Sequence, residues 1–115
     1  MWQAADIFAR FLFSPDPEGS GKTYGENLLG NKSVVELGSG PGLGGLIAAR
    51  WAKQVVLTDY QELVMELIET NIKKCNPNEK CEMLSAKVDW TKVKDEEYFG
   101  KIELVDAEKT VKGKL

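Results

Sequence analysis

The run that most constrains this chain is residues 34–45, VVELGSGPGLGG. Two β-branched residues open it, and an acid, Glu36, closes the short apolar stretch. Glycine then falls at Gly38, Gly40, Gly42, Gly44 and Gly45, and an apolar segment follows. This is the pattern of a strand, a tight turn and the start of a helix. Glycine serves there because the turn needs backbone angles that a Cβ forbids, and because a ligand must come close to the main chain.

The rest of the chain reads as support for that turn. Trp2–Phe13 has the spacing of an amphipathic helix, with Ala4, Ala5, Ile7, Phe8, Phe11 and Leu12 apolar and Asp6 and Arg10 facing water. It should stop at Ser14-Pro15, because a residue before proline avoids the helical region. Residues 14–31 are loop-like, with room for a short helix over Tyr24–Leu29. Inside that loop Gly19-Ser20-Gly21-Lys22-Thr23 imitates the end of a phosphate-binding P-loop. Asp16 stands where that motif needs glycine, and no strand precedes it, so a surface loop is the better reading.

Strands are expected at 33–37, 55–58 (ending at Asp59) and 81–88 (ending at Asp89-Trp90). Helices are expected at 43–53 and 61–74. On the second of these, Leu63, Val64, Leu67, Ile68 and Ile72 form the apolar stripe, with Glu62, Glu66 and Glu69 in water and Lys73 and Lys74 suiting the C-terminal dipole. Short strands joined by helices mean an α/β fold: a Rossmann-like parallel sheet with right-handed crossovers and flanking helices. Ligands bind at the carboxyl ends of such strands. Glu36, the glycine turn, Asp59 and Asp89-Trp90 all fall there, and that convergence is the strongest functional signal in the sequence.

Composition removes several classes. With 115 residues one small domain, 1–115, is the default. A net charge of −3 gives no general basic surface for nucleic acid. No apolar run approaches the ~20 residues that span a bilayer, and the N-terminus lacks the build of a signal peptide. Cys75 and Cys81 fit reduced thiols of a cytoplasmic protein better than a disulfide or a metal site. The chain has no histidine, which removes the commonest general base and metal ligand.

The strand ends suggest a nucleoside-containing cofactor. Asp59 lies where a carboxylate can accept hydrogen bonds from ribose hydroxyls. Asp89, or the backbone near Trp90, suits an adenine edge, and the indole suits its face. The bland alternative is that these residues only make turns and caps, with Trp90 in the core. Gly40, Gly42 and Gly45 also satisfy the spacing of a dinucleotide site, so an NAD(P)-binding oxidoreductase fragment stays open. Glu36 separates the two cofactors. A carboxylate before the turn suits the amino and sulfonium groups of S-adenosylmethionine and would repel a pyrophosphate.

These residues resemble a known family. Residues 36–42, ELGSGPG, look like motif I of the class I, seven-β-strand S-adenosylmethionine-dependent methyltransferases, and Leu57-Thr58-Asp59-Tyr60 looks like their following acidic motif. More narrowly, the Trp2-Gln3-Ala4-Ala5 start, the turn itself and Val88-Asp89-Trp90 resemble the protein-lysine methyltransferases of methyltransferase family 16. The resemblance covers about residues 2–90. It implies that Glu36, Gly38, Gly40 and Gly42 cradle the methionine part of the cofactor. It also implies that Asp59 binds ribose, that Asp89 and Trp90 lie by the adenine, and that Trp2 approaches from the N-terminal side. The implied reaction moves a methyl group to a protein lysine; no residue is singled out for catalysis. Family members have further strands and a substrate-side acid followed three residues later by tyrosine. If 101–105 is the fourth strand, Glu108 takes the acid's place, but Val111 stands where tyrosine is expected. The chain thus reads as the N-terminal, cofactor-binding part of the methyltransferase fold. A non-catalytic cofactor- or protein-binding domain is the second reading. The first strand would lie at or near an open sheet edge, which favours a homodimer or a partner contact.

Overall fold

A computed structural model describes residues 2–18, 21–75 and 80–115. Helix α1 covers Trp2–Phe13 and α2 covers Tyr24–Leu29. They are followed by β1 (Ser33–Glu36), α3 (Leu43–Ala48), β2 (Gln54–Asp59), α4 (Glu62–Cys75) and β3 (Glu82–Lys87). A 3₁₀ turn (Trp90–Lys92), α5 (Glu96–Phe99), β4 (Glu103–Val105) and β5 (Val111–Lys114) complete the chain. The sheet order is β1-β2-β3-β4-β5, with β1 parallel to β2 and β2 parallel to β3.

The parallel half follows from the sequence. Val55, Val56, Leu57 and Thr58 are all buried, because both faces of β2 are covered. On one face Val55, Leu57 and Met83 pack with Leu46, Ala48, Ala49 and Ala52 of the α3 segment and with Met65, Ile68 and Ile72 of α4. On the other, Val56, Leu84, Ala86, Val88 and Ile102 form a second cluster, against which Val93, Tyr98 and Leu104 pack. The imitation P-loop is partly described. Thr23 is the N-cap of α2 in a capping box with Glu26, and its side chain accepts a hydrogen bond from Glu26 N (3.2 Å). Gly19 and Ser20 lie outside the described residues.

Several expectations need correction. Helix α3 ends at Ala48 rather than at 53, and the chain leaves it through tight turns in which Arg50 N and Trp51 N donate to Ile47 O and Ala48 O. Leu63 and Leu67 are not in the buried stripe of α4; Leu63 is 80% exposed, and Met65 is buried instead. Two residues along a helix is a rotation of about 200°, so facing Met65, Ile68 and Ile72 to the sheet turns Leu63 away from it. Glu69 is largely covered rather than in open water, 3.9 Å from Lys109 Nζ.

The fourth strand exists but runs antiparallel beside β3, and β5, which the pattern of the sequence did not announce, runs antiparallel beside β4. The five-stranded sheet is therefore mixed. This direction carries Glu108 to the C-terminal end of α4, where its carboxylate lies 3.6 Å from Lys73 Nζ. That is the end of the sheet opposite Asp59, so Glu108 does not take the place of a substrate-side acid here.

Candidate functional site

The glycine turn joins β1 to α3 with Gly38, Gly40 and Gly42 at φ of 63°, 55° and 90°. A side chain at these positions would be strained, which is why the sequence is glycine there. The turn is locked to the end of β2 by a reciprocal pair of residues. Ser39 N donates to Thr58 O (2.7 Å), and Thr58 N donates to Ser39 Oγ (3.1 Å). Thr58 Oγ1 also donates to Glu36 O (2.7 Å). From the helical layer Asn71 Nδ2 donates to Pro41 O (2.7 Å). Sequence reasoning missed Ser39, Thr58 and Asn71. The one available signal was a Ser inside the turn and a Thr just before Asp59.

Glu36 lies half-buried at the end of β1, and Gly45 N donates to its Oε1 (3.3 Å). The carboxylate thus occupies the first turn of α3, where a dinucleotide would need room for pyrophosphate. A Cβ on Gly44 would overlap Glu36 Oε2 and push this carboxylate aside. Burial pushes the Glu36 carboxyl above its ordinary value, and its hydrogen bonds with Ser39 and Gly45 partly offset that.

Asp59 ends β2. Gly40 N donates to its Oδ2 (2.9 Å) and Tyr60 N to its Oδ1 (2.7 Å). A carboxylate offers about four acceptor positions, so both oxygens retain capacity for hydroxyl donors. Asp89, just past β3, caps the 3₁₀ turn: Thr91 N (3.0 Å) and Thr91 Oγ1 (2.7 Å) donate to its Oδ1. The Thr91 hydroxyl holds the Asp89 carboxyl below its ordinary value. Trp90 is not a core residue: it is 61% exposed, and its ring stands 3.4 Å from where a Cβ on Gly38 would lie.

Two cavities flank Gly38. One, of about 310 Å³, is lined by Ala4, Ala5 and Phe8 of α1 and by Glu36, Ser39 and Gly44 among others. The second, of about 340 Å³, is lined by Asp59, Tyr60, Val88, Asp89, Trp90 and Thr91. Gly38 lines both, and among the described residues neither lining contains lysine or arginine. Glu36, Gly38, Asp59, Asp89 and Trp90 are thus brought to one end of the sheet. Gly40 and Gly42 shape the turn and line neither cavity. The side chain of Trp2 lies outside the described residues, but its helix supplies one wall. Ala4, Ala5 and Phe8 are lining residues that the sequence reading placed only on an apolar helix face.

A family model described as lysine methyltransferase matches residues 1–108. The chain belongs to the lysine methyltransferase family. The Protein N-lysine methyltransferase METTL21A of Xenopus tropicalis is similar to the chain, 34% identical over 97 residues, which is 84% of this chain and 40% of that protein. An uncharacterised protein of Dictyostelium discoideum is 36% identical over 73 residues, 62% of this chain and 18% of its own length. The chain spans less than half the length of these relatives.

Proposed function

We propose that the ends of β1, β2 and β3 bind S-adenosylmethionine and serve methyl transfer to a lysine of a protein substrate. The observation that carries this reading is the pair of cavities meeting at Gly38, acidic on both sides and, among the described residues, without a lining cation. A ligand with a cationic amino-acid arm and a nucleoside arm fits that charge pattern. A pyrophosphate does not, because Glu36 already occupies Gly45 N at the first turn of α3.

In this reading Glu36 faces the amino-acid arm, Gly38 gives the backbone its close approach, and Gly40 and Gly42 hold the shape of the turn. Asp59 holds the ribose hydroxyls, Asp89 and Trp90 border the adenine, and Trp2, at the start of α1, approaches from the N-terminal side. When bound, the cofactor supplies an activated methyl on a sulfonium. The chain's own contribution is to orient that group, to exclude water and to keep a carboxylate beside positive charge. A cytoplasmic setting is consistent with the buried free thiol of Cys81, and no described helix is long and apolar enough to cross a membrane.

A second reading, binding without turnover, is favoured by one observation: Glu108 lies beside Lys73, away from the two cavities. Calorimetry with S-adenosylhomocysteine and with NAD tests the cofactor. Heat with the first and none with the second is expected; the reverse would sink the assignment. Asp59→Ala should weaken S-adenosylhomocysteine by about 1.5–3 kcal/mol, the scale of hydrogen bonds to a charged group. Transfer of labelled methyl to protein lysines separates the enzyme from the binding domain.

A further inference from the structure

The segment that leaves β3 returns to it. From Val88 the chain passes through Asp89, the 3₁₀ turn and α5, and α5 carries Tyr98 back to the start of the loop. Asp89 N donates to the Tyr98 hydroxyl (2.8 Å). The Tyr98 ring is half-buried against the cluster of Val56, Leu84, Ala86, Val88 and Ile102, so the phenol is held from the core side. Its own helix is fixed by Asp95, whose Oδ1 accepts from Glu97 N (2.9 Å) and Tyr98 N (3.4 Å). Lys92, the last residue of the 3₁₀ turn, lies 5.9 Å from the centre of the Tyr98 ring.

The loop so closed presents Asp89, Trp90 and Thr91 to the second cavity. Trp90 is mostly exposed and has little packing of its own to fix it. Its place over Gly38 depends on where the 3₁₀ turn starts, which is the Asp89 backbone that Tyr98 holds.

We infer that Tyr98 is a positioning residue for the nucleoside half of the site: its phenol, bonded to the Asp89 backbone, sets the shelf of Asp89 and Trp90. The inference rests on the cofactor reading above. It names a residue eight positions beyond Trp90 that touches neither cavity of the site.

The test is Tyr98→Phe in the full chain, which removes the hydroxyl and keeps the ring in the core. Calorimetry should show both S-adenosylhomocysteine and adenosine bound roughly three- to tenfold more weakly, the scale of one lost hydrogen bond. In nitrogen-15 NMR of the unliganded protein the Asp89 amide should shift and exchange faster with solvent. The loss should shrink in an Asp89→Ala/Trp90→Ala background, which keeps the backbone N–H of residue 89 but removes both shelf side chains, since residues acting through one another are not additive. Unchanged affinity in Tyr98→Phe, or weakened affinity with an unmoved Asp89 amide, would overturn the role. An equal loss in the Asp89→Ala/Trp90→Ala background would also overturn it, as the mark of a general loss of fold. If the parent chain binds neither ligand, the cofactor reading fails first and this role falls with it.

Discussion

At the scale of the residue, Glu36 holds the most chemical information. It is a half-buried carboxylate whose neighbours are glycines, a serine and a backbone N–H rather than a cation. Its folded value is raised, so the folded chain binds this proton more tightly than the unfolded chain does. Protonation therefore favours folding: that stability is fully present below the unfolded value and is lost as pH rises through the folded one. Glu36→Gln keeps an acceptor for Gly45 N and removes the ionisation. We expect its unliganded melting temperature to equal or exceed the parent's at about pH 7.5, with the gap closing towards about pH 3, below the ordinary glutamate value. A lower melting temperature at neutral pH would contradict the burial account. The same variant should bind S-adenosylmethionine at least tenfold more weakly, read by calorimetry, because a charged partner is worth about 1.5–3 kcal/mol. The place of Glu36 at the strand end before the glycine turn was legible in the sequence. Its bond to Gly45 was not, because eight residues and a reversal of chain direction lie between them.

At the scale of the element, the site depends on how closely α3 lies on β2. A Cβ on Gly45 would run into Leu57 Cδ2, and Leu57 is fully buried with nowhere to move. Gly45→Ala should therefore destabilise the fold by about 1–3 kcal/mol, the usual cost of overpacking, despite alanine's better helix propensity. Urea unfolding measures this; a stabilised variant would show that α3 can lift off the sheet. The other elements were read from the sequence with differing success. Helix α1 was legible from end to end because an apolar period and a proline stop are local signals. The buried face of α4 was misread, because Leu63, Leu67 and Met65 are all apolar and only the sheet beneath decides which of them turns inward.

At the scale of the whole molecule, β1 stands at one end of the sheet, and among the described residues β2 is its one strand partner. Val35 on that strand and Leu37 just after it are exposed. We propose that this edge pairs with a second copy of the chain. Sedimentation velocity should show a dimer that grows with concentration and that Val35→Lys suppresses. A single monomer peak at high concentration would count against it. The far end of the sheet is differently built. There the β4–β5 hairpin is tied to α4 by Lys73–Glu108, an exposed pair of small energetic value that salt should loosen, and by Lys109–Glu69, in which the lysine is exposed and the glutamate largely covered.

The sequence alone determined the strand–turn–helix unit at 34–45, the parallel run of β1, β2 and β3 and the gathering of Glu36, Asp59 and Asp89-Trp90 at one end of it. Those follow from rules that act over a few residues: glycine's access to positive φ, proline's exclusion of helix, and the periods of strand and helix. Tertiary structure alone decided the direction of β4, and with it the removal of Glu108 from the site. It also decided the Ser39–Thr58 lock, the capping of α3 by Glu36 and the return of Tyr98 to Asp89. Each of these joins groups from separate elements, and such contacts are fixed by how whole elements pack and not by any pattern within one of them.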